Sequence, residues 1–249
     1  MTSPQTFSRV FTGTSGFSYP EWKGGFYPAK ISGKDMLGFY SSQLSSVEIN
    51  NTFYRMPAPQ VIENWAAQVG PEFRFGVKAS RRITHFKKLV GAEDVLDAFL
   101  HSLVSFGSKL GPVLVQTPPT LKADTGLLGE FLEIWQQLSS KIFHAQAPRC
   151  ALEFRHQSWF NDDTYALLRT HQAALVGGDV DDAAKSPPVV KTGAWAYLRL
   201  RKTEYAPGEL ERWAAQLHAL GVDEAYVYFK HEVMGPELAL KLKQLLDAK

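Results

Sequence analysis

A TIM-type (β/α)8 barrel is the fold this 249-residue sequence predicts, and three observations carry the prediction. Eight short runs rich in β-branched and aromatic residues recur along the chain. Seven other segments space apolar residues three and four apart, the period of a helix with one buried face. No glycine-rich phosphate fingerprint follows the first strand, which counts against the competing open, doubly wound sheet.

The chain opens with RVFTGTS (9–15) as a strand and DMLGFYSSQL (35–44) as a helix. SVEIN (46–50), PQVIENWAAQV (59–69), FRFGVKA (73–79) and AEDVLDAFLHSLVSFGSKL (92–110) continue the alternation. PVLVQT (112–117), TGLLGEFLEIWQQLSS (125–140), CALEFR (150–155) and NDDTYALLRTHQ (161–172) follow in the same order. Asn161 is suited to cap that last helix, with Asp162 and Asp163 well placed in its first turn. After the strand AALVGGD (173–179), the segment DDAAKSPPVVKTG (181–193) carries a double proline, so the sixth helix is expected to be short or missing. AWAYLRL (194–200), GELERWAAQLHAL (208–220), AYVYFK (225–230) and PELALKLKQLLDA (236–248) complete the barrel. Gly70-Pro71, Gly111-Pro112 and Gly221 mark turns after helical runs. No repeat or linker divides residues 1–249, which read as one domain.

Composition narrows the function classes. A net charge of +2 is too small to argue for nucleic acid or a membrane surface by itself. The single cysteine, Cys150, excludes an internal disulfide and any multi-cysteine metal site. Residues 1–13 lack an apolar core of signal-peptide length and no segment approaches a membrane span, so a cytoplasmic location is expected.

Strand alternation then raises the chemical question. In SVEIN, Val47 and Ile49 would face the helices, and Glu48 and Asn50 would face the barrel interior. In ALEFR, Leu152 and Phe154 face out while Glu153 and Arg155 face in; in FRFGVK, Lys78 takes the inner face at the strand end. These polar residues fall in the C-terminal halves of their strands, where barrel enzymes place their active sites.

The segments GTSGFSYPEWKGGFYP (13–28), VEINNTFYRMP (47–57), FGVKASRRITH (75–85), GPVLVQTPP (111–119) and LEFRHQSWF (152–160) resemble, in order, the YecE-like family, domain of unknown function 72. The resemblance runs from about Thr12 to the final helix and implies a TIM barrel with a polar pocket at the strand C-termini, without implying a reaction. Arg201-Lys202 stand where the family usually shows His-Gly, and Phe229-Lys230-His231 where it usually shows Phe-Asn-Asn. Both departures add basic groups to the expected rim.

Four groups of residues are candidates for the site. Glu48 and Glu153 could act as an acid/base pair or be locked in buried ion pairs with Arg155 or Lys78. Lys78, Arg155 and Arg199 sit at strand ends suited to holding an anion, whereas Arg81, Lys87, Lys88 and Lys202 read as solvated loop charge. Tyr19, Trp22, Phe53, Tyr54 and Trp159 could line the mouth and stack on a ligand, or simply cover the barrel end. His85, His156, His231 and Asp179 could join the glutamates around a divalent metal, but nothing like HExxH spacing is present, so metal is not favoured and no cofactor is assigned. Ser15, flanked by Gly13 and Gly16, reads as a turn residue.

The leading expectation is a hydrolase acting on a phosphate-containing anion such as a nucleotide or nucleic acid. Glu48, Glu153 and Lys78 would be catalytic; Tyr19, Trp22, Asn50, Tyr54, His85, Gln116, Arg155, Trp159, Asp179 and Arg199 would bind substrate. A glycosidase-like hydrolase using both glutamates and a non-catalytic barrel that binds an anion or RNA stay open as alternatives.

Overall fold

The computed structural model describes residues 9–143 and 146–248; residues 1–8, read above for a leader segment, lie outside it. Eight parallel strands close in sequence order: β1 (Arg9–Ser15), β2 (Ser46–Ile49), β3 (Arg74–Lys78), β4 (Leu110–Gln116), β5 (Cys150–Glu153), β6 (Ala174–Asp179), β7 (Trp195–Leu200) and β8 (Glu224–Phe229). Pairing of β1 with β8, from Arg9↔Glu224 to Thr14↔Phe229, completes the cylinder and leaves no open sheet edge. The crossovers carry α1 (Met36–Gln43), α2 (Pro59–Ala67), α3 (Glu93–Leu103), α4 (Thr125–Ile142), α5 (Asp162–Thr170) and α6 (Glu209–Leu220), and α7 (Gly235–Asp247) follows β8.

The sixth crossover holds only a single 3-10 turn, Ala183–Lys185, as its double proline predicts. Asn161 caps α5 by accepting from the Thr164 N–H, and Gly221 ends α6 in the left-handed conformation at φ 62°. Gly111 and Pro112 depart from expectation. They lie inside β4, where the register against β3 shifts between Phe75 and Val77, instead of marking a turn before it. A π-helical turn, Arg82–Phe86, lies between Arg81 and Lys87, positions read from the sequence as loop charge.

Two apolar zones follow from the period-2 alternation. Val47, Ile49, Phe73, Phe75, Val77, Leu152 and Phe154 face outward and pack beneath the helices. Inside the cylinder, Phe11, Leu114, Ala151, Val176, Trp195, Tyr197, Tyr226 and Tyr228 form a separate cluster. Phe11 and Tyr226 stack at the lower end, with centroids 4.6 Å apart and planes within 8°. Above them Tyr228 bonds Ser46 Oγ at 2.6 Å and lies over Gly76, where a Cβ would come within 2.7 Å of the phenol oxygen. The interior is thus filled from below, and only the upper layer is polar.

Gly13 sets how closely β1 approaches β2. A Cβ there would sit 1.9 Å from the Ser46 carbonyl oxygen, a backbone atom that cannot swing aside. Gly13→Ala is expected to destabilise the barrel by about 1–3 kcal/mol, the usual range for overpacking. The urea midpoint should fall with an unchanged slope; an unaltered midpoint would mean that the β1–β2 contact is not constrained.

Candidate functional site

The upper interior layer is built by one or two side chains from each of several strand ends. Ser15 (β1), Glu48 (β2), Lys78 (β3), Gln116 (β4), Glu153 (β5) and Arg199 (β7) converge there, with Tyr197 rising from the layer below. Arg199 is 3% exposed and joins the two carboxylates, themselves 0% and 1% exposed. Its Nη1 donates to Glu153 Oε2 at 2.7 Å, and its Nη2 donates to Glu48 Oε1 at 2.9 Å.

The remaining lone pairs of Glu48 are taken up locally. Ser15 Oγ donates to Oε1 at 2.7 Å, Asn50 Nδ2 donates to Oε1 at 2.8 Å, and Tyr197 OH donates to Oε2 at 2.6 Å. On the other side, Gln116 Nε2 donates to Glu153 Oε2 at 2.6 Å, and Lys78 Nζ donates to Gln116 Oε1 at 2.9 Å. Arg155 and Arg201 approach the second Glu153 oxygen at 2.9 and 3.5 Å. A continuous polar chain thus runs from Lys78 through Gln116, Glu153 and Arg199 to Glu48.

Electrostatics follow from that geometry. Burial would raise the Glu48 pKa, but the Arg199 charge and the bonds from Tyr197, Asn50 and Ser15 outweigh it and hold the group below the ordinary value. Burial likewise opposes ionisation of Glu153, yet Arg199, Arg155, Arg201 and Gln116 lower it to about 2. Both groups are therefore carboxylates at neutral pH. Lys78 moves the other way: burial, then Arg199 and Arg155, lower its pKa to about 8 against partial opposition from Glu153 and Glu48. His85 is lowered by burial, Lys78 and Arg155, and Lys230 by burial, Arg199, Arg201 and Arg155. Five cations, Lys78, Arg155, Arg199, Arg201 and Lys230, thus surround the two axial carboxylates, Glu48 and Glu153.

Two clefts open beside this layer. The larger, of about 780 Å3, is lined by His85, Gln116, Arg155, Asp181, Asp182, Lys185 and Arg201, among others. The smaller, of about 540 Å3, lies toward the β1 and β2 loops and includes Ser15, Tyr19, Lys34, Asn50 and Trp65.

Several residues expected at the mouth have other placements. Trp22 is buried and its indole N–H donates to the Glu232 carbonyl; Trp159 is buried, stacks on Phe154 at 4.4 Å and donates to the Leu121 carbonyl. Neither presents a ring face to a ligand, because both fasten loops onto the barrel top. Asp179 is turned away from the axis, accepting from Arg201 N–H, Tyr205 OH and Trp213 Nε1. Tyr54 is exposed beside Arg81, and Tyr19 is half-buried with its hydroxyl donating to the Ser15 carbonyl.

The histidines also disperse. His156 bonds Ser158, and His231 accepts from the Val233 and Met234 N–H groups while its Nε2 meets the Thr203 carbonyl. Among the described residues, no three His, Cys, Asp or Glu side chains gather into a metal-holding group. Glu48 and Glu153 instead have a guanidinium between them, and a divalent cation placed there would meet the Arg199 charge. Ser15 and Tyr197 are site residues that the sequence did not single out as such, and Arg201 was expected on the rim without a role in binding. Their signal was available, since Tyr197 and Arg201 share the inward parity of Arg199 in AWAYLRLR.

The model of a family described as "Protein of unknown function DUF72" matches residues 11–249. UPF0759 protein YunF of Bacillus subtilis (strain 168) is 30% identical over 145 residues, covering 56% of this chain and 49% of that protein. UPF0759 protein YecE of Escherichia coli (strain K12) is 28% identical over 111 residues, covering 45% of this chain and 38% of that one. The matched segments thus span half or less of the length of these curated relatives. A crystal structure of a DUF72 family protein from Thermotoga maritima MSB8 superposes with a TM-score of 0.81 at 26% identity, covering 96% of this chain and 99% of that one.

Removing the bridge should expose its energetic weight. Arg199→Met leaves two buried carboxylates without their common counter-ion, and a loss of about 3–5 kcal/mol is expected from urea unfolding. Adding Glu48→Gln and Glu153→Gln should restore part of that loss; equal stability of Arg199→Met and the parent would dismiss the bridge as a structural element. Acid supplies a second readout. Because the Glu153 pKa is depressed in the folded state, its stabilisation is complete above about 4.5 and disappears as pH falls toward about 2. The Glu153→Gln variant should show a shallower acid limb over that interval.

Proposed function

The chain belongs to the DUF72 family, and we propose that its barrel mouth binds a small anionic molecule, carrying phosphate or carboxylate, and acts on it as an enzyme. The observation that carries this reading is the pair of guanidinium groups on the wall of a cleft of about 780 Å3 whose own carboxylates, Asp181 and Asp182, are engaged by Thr203 and Lys185. Arg155 and Arg201 line that cleft and supply the forked donors that suit a flat or tetrahedral anion. The cleft volume matches small-ligand sites, which favours a small molecule over a nucleic-acid duplex.

The acid–base groups are Lys78 and His85 in this reading. Glu153, with a pKa of about 2, is a weak base, and Glu48 is tied by four donors. Their work is to hold Arg199 on the barrel axis and fix the charge landscape of the mouth. A glycosidase using both glutamates would need one of them protonated at its working pH, and the shared guanidinium opposes that. The anionic, phosphate-type substrate of the leading expectation is kept; the base is reassigned.

Sulfate binding tests the site, because sulfate does not titrate between about pH 6.5 and 9.5. Isothermal titration calorimetry of the full chain should show affinity falling as pH rises through about 8, where Lys78 loses its proton, with Lys230 contributing in the same direction. Arg155→Ala and Arg201→Ala should each weaken binding roughly tenfold. Undiminished sulfate binding by the double variant would remove the anion site from the cleft.

A further inference from the structure

Lys78 stands apart from the other basic residues. Its stem leaves the end of β3 on the inner face, and its Nζ is anchored 2.9 Å from Gln116 Oε1. The same Nζ lies over the Phe53 ring, 4.2 Å from the centroid, and His85 packs edge-on against that ring with centroids 4.9 Å apart. The Phe53 ring thus contacts both an amine and an imidazole. Gln116 and His85 both line the larger cleft, with Arg155 and Arg201 on its wall. The charged groups acting on Lys78 come from three other strands and their ends: Glu48 from β2, Glu153 and Arg155 from β5, and Arg199 from β7.

We propose that Lys78 is a nucleophilic amine that forms an imine with the carbonyl group of a small aldehyde or ketone, whose phosphate or carboxylate is held by Arg155 and Arg201. This rests on the anion-site reading above and narrows its substrate to carbonyl compounds. Desolvation and neighbouring cations keep a useful share of the amine unprotonated near neutral pH, the condition an amine nucleophile requires. An ammonium flanked by two guanidinium groups is disfavoured for the same electrostatic reason.

The step balances with the groups present. The Nζ lone pair forms the N–C bond as the carbonyl π pair moves to oxygen, and one amine proton passes to that oxygen to give a carbinolamine. The C–O bond then breaks, the oxygen leaves as water with a second proton, and the nitrogen lone pair closes the C=N bond. His85 packs on the same Phe53 ring as the amine, and its depressed pKa leaves a neutral imidazole to relay these protons. Gln116 orients Nζ through its side-chain oxygen, while its own amide is fixed on Glu153.

The test is reductive trapping. The full chain is incubated at about pH 8 with glyoxylate, an aldehyde bearing a carboxylate, and sodium cyanoborohydride, and labelled peptides are mapped by mass spectrometry. Lys78 should be alkylated roughly tenfold faster than exposed lysines such as Lys87 and Lys88, given its lowered pKa and the carboxylate-holding arginines beside it. Sulfate should slow labelling at Lys78 alone, and neutral propionaldehyde should show much less selectivity. Lys78→Arg should abolish the site-selective label while its far-UV circular dichroism and urea midpoint stay close to the parent's, which shows that the variant is folded. Labelling spread evenly over the surface lysines, or selective labelling that sulfate leaves unchanged, would overturn the proposal. Sulfate binding without selective labelling removes the imine and keeps the anion site; loss of sulfate binding in the parent chain removes both.

Discussion

The Arg199 guanidinium is the contact around which the upper half of the barrel is organised. It spans the axis from β7 to carboxylates on β2 and β5, tying together strands that are not neighbours in the sheet. Backbone hydrogen bonds fix each strand only to the next, so this cross-axis bridge is a constraint that the sheet itself does not supply. Its cost is the removal of three charges from water. Such a group persists where each carboxylate is bonded directly to the cation and its remaining lone pairs are met, as they are for Glu48 by Ser15, Asn50 and Tyr197.

The aromatic layer beneath makes that bridge electrostatically strong. Tyr197, Tyr226, Tyr228 and Phe11 fill the cylinder, so the ion pairs have protein below them and solvent only on the mouth side. Tyr197 serves both layers, since its ring packs on Tyr228 at 5.2 Å and its hydroxyl reaches Glu48. The depressed pKa values of the carboxylates and of Lys78 have different leading causes. Arg199 holds both carboxylates down against their burial, whereas burial comes first for Lys78 and the Arg199 charge second. Burial and one buried cation together leave carboxylates that stay charged and an amine lowered to about 8.

The barrel, its strand faces and its missing sixth helix were legible because each depends on local periodicity or on a double proline. Parity placed Glu48, Lys78 and Glu153 on the inner face, and a strand-end position singled out Arg199, which the structure brings to them. Parity says nothing about which inward residues meet across the axis, because that depends on barrel closure and stagger; the Arg199 bridge was therefore invisible in the sequence. Asp179 shows a different error. Gly178 and not Asp179 shares the inward parity of Ala174 and Val176, and the carboxylate turns toward Tyr205 and Trp213. Trp22 and Trp159 misled for a third reason: an aromatic in a mouth loop is equally suited to a ligand or to pinning the loop, and only their buried N–H bonds decide.

The four basic residues at the family departures also divide once their contacts are known. Lys202 reaches away to Glu209 at 2.6 Å, and His231 organises its own loop through the Val233 and Met234 N–H groups. Arg201 and Lys230 are the two whose charge bears on the axis. Arg201 stands 3.5 Å from Glu153, and Lys230 has its pKa lowered by Arg199, Arg201 and Arg155 after burial. A cation added at a rim already containing Arg199 and Arg155 is unfavourable in an unliganded protein and becomes favourable when an anion arrives between them. Under the anion-site proposal these two cations would favour an incoming anion at a mouth whose inner carboxylates are held by Arg199. The Glu48–Arg199–Glu153 bridge is itself made without either of them.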